Sequence, residues 1–442
     1  MIKLKAFYAS LLGVSLLSTP AMAKINFTEY DLPNGLHVIL HEDHSTPIVA
    51  VSVMYHVGSK NEDPERTGFA HFFEHLLFEG SENIKRGEYM KLVQSNGGSL
   101  NANTSQDRTY YFETLPSNQL ELGLWMESER MLHAKIDDIG VETQRKVVKE
   151  EKKQRYDNTP YGQLINVVYE NAFTESPYRW SPIGKDQYID KATLAEFMAF
   201  YKKYYVPNNA ALVIGGDIDI EKTKALVAKY FGDIPRGTET INRNLPQEPA
   251  HTAEKRINFY DNIQLPAVLI AFNTPKMGTD DWYALEMLNN VLSKGKSSRL
   301  QKEIVDKQQK AVASGAISLG NEDPGVSVMY GIANQGVTPE DLEKSILAEI
   351  EKVKTNGLTD AEYQKLKNQT ESEFIQQNQK VMGVVENLAT YYTFMGNANL
   401  INTELERYNK ITKDDLKRVA NKYYTKNNRL VVYYLPKSQQ KG

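Results

Sequence analysis

The run His71-Phe72-Phe73-Glu74-His75 sets two imidazoles and a carboxylate within five residues of each other, inside the strongly apolar stretch Gly68–Phe78. If that stretch is a helix, positions four apart share a face, so His71 and His75 can clamp one ion. Glu74 then lies beside the same face without having to ligate. The apolar residues fall all round such a helix, which predicts burial. Buried His and Glu need partners, because an unpaired buried charge costs several kcal/mol or neutralises itself. The competing reading is a pair of satisfied core histidines.

The chain has no cysteine, which removes disulfides, thiolate ligands and a cysteine nucleophile together. Any metal is therefore held by His, Asp or Glu. A catalytic zinc takes three protein ligands and keeps a fourth position open. The helical pattern over 141–155 offers Glu150 and Glu151, and two adjacent residues cannot both point at one spot. Val147 and Val148 mark its inward stripe; Glu151 continues that stripe, and Glu150 falls toward the edge. Glu151 is thus the expected third ligand, with Gln144 on the same face as its support. Zinc so held polarises a carbonyl and lowers the pKa of water to roughly 7.

These residues must be held by a larger framework, and the chain reads as one unit written twice. Lys203-Tyr204-Tyr205-Val206-Pro207-Asn208-Asn209 returns as Lys422-Tyr423-Tyr424-Thr425-Lys426-Asn427-Asn428, 219 residues later. In both halves a strand-like run (48–57; 267–272) leads to an apolar helix (69–78; 282–292) and a second helix (88–94; 300–307). Strand pairs follow (99–115; 311–333), then two further helices (119–133 and 141–155; 339–354 and 360–376). Hairpin-like turns at Asn96-Gly97-Gly98 and Asn321–Gly325 favour largely antiparallel sheets. The expected class is α+β: two duplicated sandwich domains, each a mixed sheet covered by helices, forming a clam-shell. The expected divisions are a catalytic half over 24–234, a polar linker over 235–256 and a homologous half over 257–442. In the second half Glu286, Asn289 and Asn290 stand opposite His71, Glu74 and His75, so no site is expected there.

Composition excludes other classes. Lys plus Arg is 52 against 56 Asp plus Glu, with no basic stripe, which disfavours nucleic acid as a partner. Lys3 and Lys5, an apolar run to Leu17 and Ala21-Met22-Ala23 read as a cleavable signal peptide. The run is shorter than the roughly 20 residues that span a bilayer. Cleavage is expected after Ala23, leaving 419 residues in a periplasmic or secreted setting with no later membrane span.

His71-x-x-Glu74-His75 with Glu151 76 residues later resembles the insulinase/pitrilysin superfamily of zinc metallopeptidases. The short, two-domain branch that includes the mitochondrial processing peptidase is the most similar. Further matches are Asn34-Gly35-Leu36, Gly97-Gly98-Ser99-Leu100-Asn101-Ala102, Pro207-Asn208-Asn209 and Ser297-Ser298-Arg299-Leu300. The resemblance implies one zinc per chain on His71, His75 and Glu151, with Glu74 as general base. It implies that the strand around Asn101 and Ala102 pairs with an extended peptide substrate. Gln144 departs from the glutamate the family often has there. The family's Arg and Tyr of the second half correspond here to Val305 and Val312, so the resemblance implies a heterodimer whose homologous partner supplies that pair. The expected function is peptide-bond hydrolysis on peptides or unfolded chains. The alternatives are a non-catalytic peptide-binding subunit of a peptidase complex and a zinc-dependent lyase.

Overall fold

The computed structural model describes residues 24–440, so the expected signal peptide lies outside the described residues. The first half builds strands β1 (Thr28–Asp31), β2 (His37–Glu42), β3 (Ile48–Tyr55), β4 (Ser99–Thr104), β5 (Thr109–Pro116) and β6 (Ala210–Gly216). They form one sheet in the order β1-β2-β6-β3-β5-β4. Only β2 and β6 pair in parallel. The second half builds β7 (Lys255–Asp261), β8 (Ala267–Asn273), β9 (Ala311–Leu319), β10 (Val326–Ala333) and β11 (Arg429–Pro436) in the order β7-β11-β8-β10-β9. There β7 and β11 pair in parallel and the rest antiparallel. Dropping β1, the two orders superpose strand for strand, as duplication requires. This is the expected α+β architecture of two mixed sheets covered by helices.

Among the described residues the first half has eight α-helices: α1 (Phe69–Leu76), α2 (Tyr89–Ser95), α3 (Leu120–Leu132), α4 (Asp138–Lys152), α5 (Leu164–Ala172), α6 (Asp186–Lys191), α7 (Leu194–Tyr204) and α8 (Ile220–Phe231). The second contains α9 (Asp280–Ser293), α10 (Pro339–Asn356), α11 (Asp360–Asn378), α12 (Val381–Met395), α13 (Glu404–Lys410) and α14 (Lys413–Tyr423). None of them is long and apolar enough to cross a membrane.

The near-continuous apolar sequence of β3 has a specific cause: both faces of its sheet are covered. Val49, Val51, Val53 and Tyr55 face the first half's own helices. Ala50 and Met54 face Val381, Val384, Val385 and Leu388 of α12, a helix from the second half. The reverse also holds. Leu269 and Ala271 of β8 meet Val167, Val168 and Phe173, on and just after α5 of the first half. Each half therefore lends one helix to the other's sheet. The approach is close enough that a Cβ on Gly215 would stand 2.7 Å from Val385 Cγ2.

Ion pairs join the halves on the same side as α5. Lys60 Nζ lies 2.7 Å from Asp107 and also contacts Glu322, while His56 Nε2 lies 2.7 Å from the Glu322 carboxylate. Two local expectations change. Asn96-Gly97-Gly98 joins α2 to β4, and the hairpin turn before β5 is Ser105–Arg108. The polar linker ends earlier than expected, because β7 already begins at Lys255.

Candidate metal centre

Helix α1 carries His71, Glu74 and His75, and its other faces explain its position. Phe69 and Phe72 stack on Phe197 of α7 at 4.6 and 4.5 Å, and Phe73 stacks on Phe200. Tyr111 Oη donates to the Phe73 carbonyl at 2.9 Å, tying α1 to the sheet. The chain enters the helix through Gly68, whose φ of +101° suits glycine. Its neighbour is Gly184, where a Cβ would meet Gly68 Cα at 2.4 Å.

Glu151 arrives from α4, which starts at Asp137, whose side chain accepts from the Gly140 amide. Val141 and Val148 bury α4 in the core. Val147 does not share their environment: it is 43% exposed and lines the cavity in front of α1. The inward stripe is thus narrower than the sequence suggested, and Glu151 stands between core and cavity.

One ligand atom from each of His71, His75 and Glu151 lies within 4.8 Å of the other two. Glu151 Oε2 is 3.0 Å from His75 Nε2 and 3.6 Å from His71 Nε2. That oxygen is buried without a well-directed hydrogen-bond donor, and His71 Nδ1 is likewise unpartnered. Three such ligand atoms gathered within reach of one ion fit a zinc that keeps one position open. Burial, reinforced by the neighbouring His75, lowers the His71 pKa to about 4, so the ring is neutral and its lone pair free at pH 7. The close approach of His75 heads the causes that hold Glu151 below the usual carboxylate range. Arg155 Nη1 also sits 2.8 Å from Glu151 Oε1.

Glu74 turns to the other wall. Its Oε2 accepts from Thr104 Oγ1 at 2.7 Å. Burial raises the Glu74 carboxyl and the Thr104 bond opposes the rise. Sequence reasoning missed Thr104, although strand alternation puts it on the same face of β4 as the buried Ala102. Asn101 and Ala102 lie on β4, paired with Phe112 and Tyr111 of β5. Strand β4 ends the sheet, so its other edge is open beside the cavity.

Gln144 lines the cavity too, but its amide donates to Glu79 and makes no bond to Glu151. The expected support behind Glu151 is therefore replaced by a Gln144–Glu79–Arg86 chain. Every residue lining the cavity, about 630 Å³, lies between His71 and Ile183, so the second half contributes none of its wall. Glu286, opposite His71 in the duplication, accepts from Ser318 instead. Val312, where the resemblance implied a tyrosine, is 50% exposed on β9.

Residues 37–184 match the model of the insulinase family, peptidase family M16, and residues 191–370 match that of the peptidase M16 inactive domain. Zinc protease PqqE of Helicobacter pylori is 32% identical over 408 residues, covering 92% of this chain and 92% of that protein. The crystal structure of a protease from Helicobacter pylori superposes with a TM-score of 0.90 at 30% identity, covering 93% of this chain and 100% of that one. The mitochondrial-processing peptidase subunit beta of Saccharomyces cerevisiae is 24% identical, over 88% of this chain and 87% of that protein. Matched along nine-tenths of its length by a relative of this identity, the chain belongs to the insulinase family of peptidases.

Proposed function

We propose that the protein is a periplasmic or secreted zinc endopeptidase acting on peptides or unfolded polypeptides. The observation that carries this reading is the convergence of His71, His75 and Glu151 beside a separately held Glu74. His71, His75 and Glu151 would hold one zinc. When bound, zinc supplies carbonyl polarisation and a lowered water pKa.

The rest belongs to the chain's own side chains. Thr104 occupies Glu74 Oε2, which leaves Oε1 to receive a proton from the attacking water. Glu74 then returns that proton to the leaving nitrogen as the C–N bond breaks. The open edge of β4 around Asn101 and Ala102 would offer the main-chain donors and acceptors of alternate residues to an extended peptide. Such pairing ignores most side chains and suits unfolded substrates. It needs a free edge on the substrate as well, which folded proteins rarely present.

A heterodimer with a homologous secreted chain completes the proposal. The family's Arg and Tyr are Val305 and Val312 here, neither able to donate a side-chain hydrogen bond. The absence of second-half residues from the cavity wall is consistent with a donor pair brought by another chain. The deciding experiment is metal analysis of the purified chain together with hydrolysis of an unfolded peptide mixture, with and without such a partner. One zinc per chain and partner-dependent cleavage are expected. One zinc with no cleavage under any pairing would favour the non-catalytic peptide-binding reading.

A further inference from the structure

We propose that Glu62 is a positioning residue for the metal centre, holding the amino end of α1 and fixing that end to the contact between the two halves. The inference rests on His71 and His75 of α1 being metal ligands. Gly68, at the N-cap of α1, has no side chain to satisfy the free backbone N–H groups that begin every helix. Glu62 does this from outside. Its Oε2 accepts from Gly68 N at 2.9 Å and its Oε1 from Ala70 N at 2.8 Å. His71 is the next residue, so the carboxylate grips the helix one position before the first ligand.

The grip is built into the fold. Glu62 is 6% exposed, and a carboxylate there also meets the positive end of the helix dipole. Burial raises this carboxyl well above the usual carboxylate range although the α1 amides oppose the rise, and both of its oxygens accept from those amides. With only eight residues, α1 has too few internal bonds to hold its own end rigidly.

The loop that presents Glu62 is itself pinned twice. Ser59 N and Lys60 N donate to the Ser105 and Gln106 carbonyls at 3.2 and 3.0 Å, at the tip of the β4–β5 hairpin that also carries Thr104. Lys60, 4% exposed, binds Asp107 and reaches Glu322 of the second half. From Lys60 to Glu62 is two residues, so the helix bearing the ligands and the hairpin bearing Thr104 share one anchor.

The test uses the full mature chain. Cobalt(II) replaces zinc and its visible ligand-field spectrum reports ligand geometry; the rate of zinc loss to a chelator reports hold. Wild type must first bind one metal in a His71-dependent way; if it does not, the proposed function fails before this inference is reached. Glu62→Gln, which sets an amide N–H₂ against a backbone N–H, should alter the cobalt spectrum and speed zinc loss about tenfold. Glu62→Asp, one methylene shorter and still a carboxyl with two acceptor oxygens, should show a smaller change in the same direction. Either variant folded, with spectrum and zinc loss unchanged from wild type, overturns the proposal. If Glu62→Gln does not fold, Glu62→Asp decides.

Discussion

Thr104 Oγ1 and Glu74 Oε2 stand 2.7 Å apart, joining the edge strand to the helix that carries the candidate general base. A hydrogen bond to a charged group is worth about 1.5–3 kcal/mol. Thr104→Val keeps the shape and removes the donor, so kcat should fall about tenfold while KM and zinc content stay near wild type. A change confined to KM would instead mark Thr104 as a substrate contact.

Glu74→Gln separates base from ligand. The variant should retain about one zinc and lose hydrolysis by a factor of about 10²–10⁴ or more. His71→Ala, His75→Ala and Glu151→Ala should lose the metal along with activity. Metal analysis beside peptide hydrolysis distinguishes the two classes, and measurable turnover in Glu74→Gln at the wild-type rate removes the assignment.

The partner is tested by reconstitution. A homologous chain lacking His-x-x-Glu-His but carrying the Arg and Tyr should raise peptidase activity when added to this one. Its Arg→Ala and Tyr→Phe variants should still bind yet restore little. Full activity from the single chain, unmoved by any such addition, would count against the heterodimer.

The contact between the halves is acid-sensitive. Burial disfavours the Glu322 carboxylate, but His56 and Lys60 outweigh it and bring its pKa down to about 2. A carboxyl lower in the folded state contributes stability above its unfolded value near 4.5, lost as pH falls from there toward 2. The contribution is at most about 3 kcal/mol at neutral pH. Glu322→Gln should lower the Tm at pH 7 and leave a difference from wild type that shrinks as pH falls from 5 to 3. A constant gap across that range contradicts the assignment.

Much of this was readable from the chain. His71, Glu74 and His75 are local: helix geometry alone decides that they share a face. The repeated Tyr-Tyr…Asn-Asn segment exposed the duplication, since both copies end a helix and begin a buried strand, α7–β6 and α14–β11. Glu151 came from a stripe argument whose direction was half wrong, because Val147 faces the cavity and only Val148 the core. Gln144 shows the limit more sharply. Its face was legible, but its partner Glu79 follows α1 in a separate segment, and no periodicity links the two. Glu62 was invisible for the same reason, since a loop carboxylate announces no destination. The exchange of α5 and α12 was equally hidden: an apolar helix face says that a sheet covers it, never whose.

That exchange makes the two halves depend on each other. A lone half, carrying the counterpart of α12 but no sheet of its own beneath it, would leave one strand face bare and one helix stranded. Two halves trading those helices satisfy both at once. Joining the halves in one chain makes their association intramolecular, at the effective concentration a linker sets. The trade does not require the halves to be identical, and Glu286 and Asn290 stand in the second where His71 and His75 stand in the first. The stranded-helix argument still applies today: residues 24–234 made alone should aggregate, and adding residues 255–440 should rescue them.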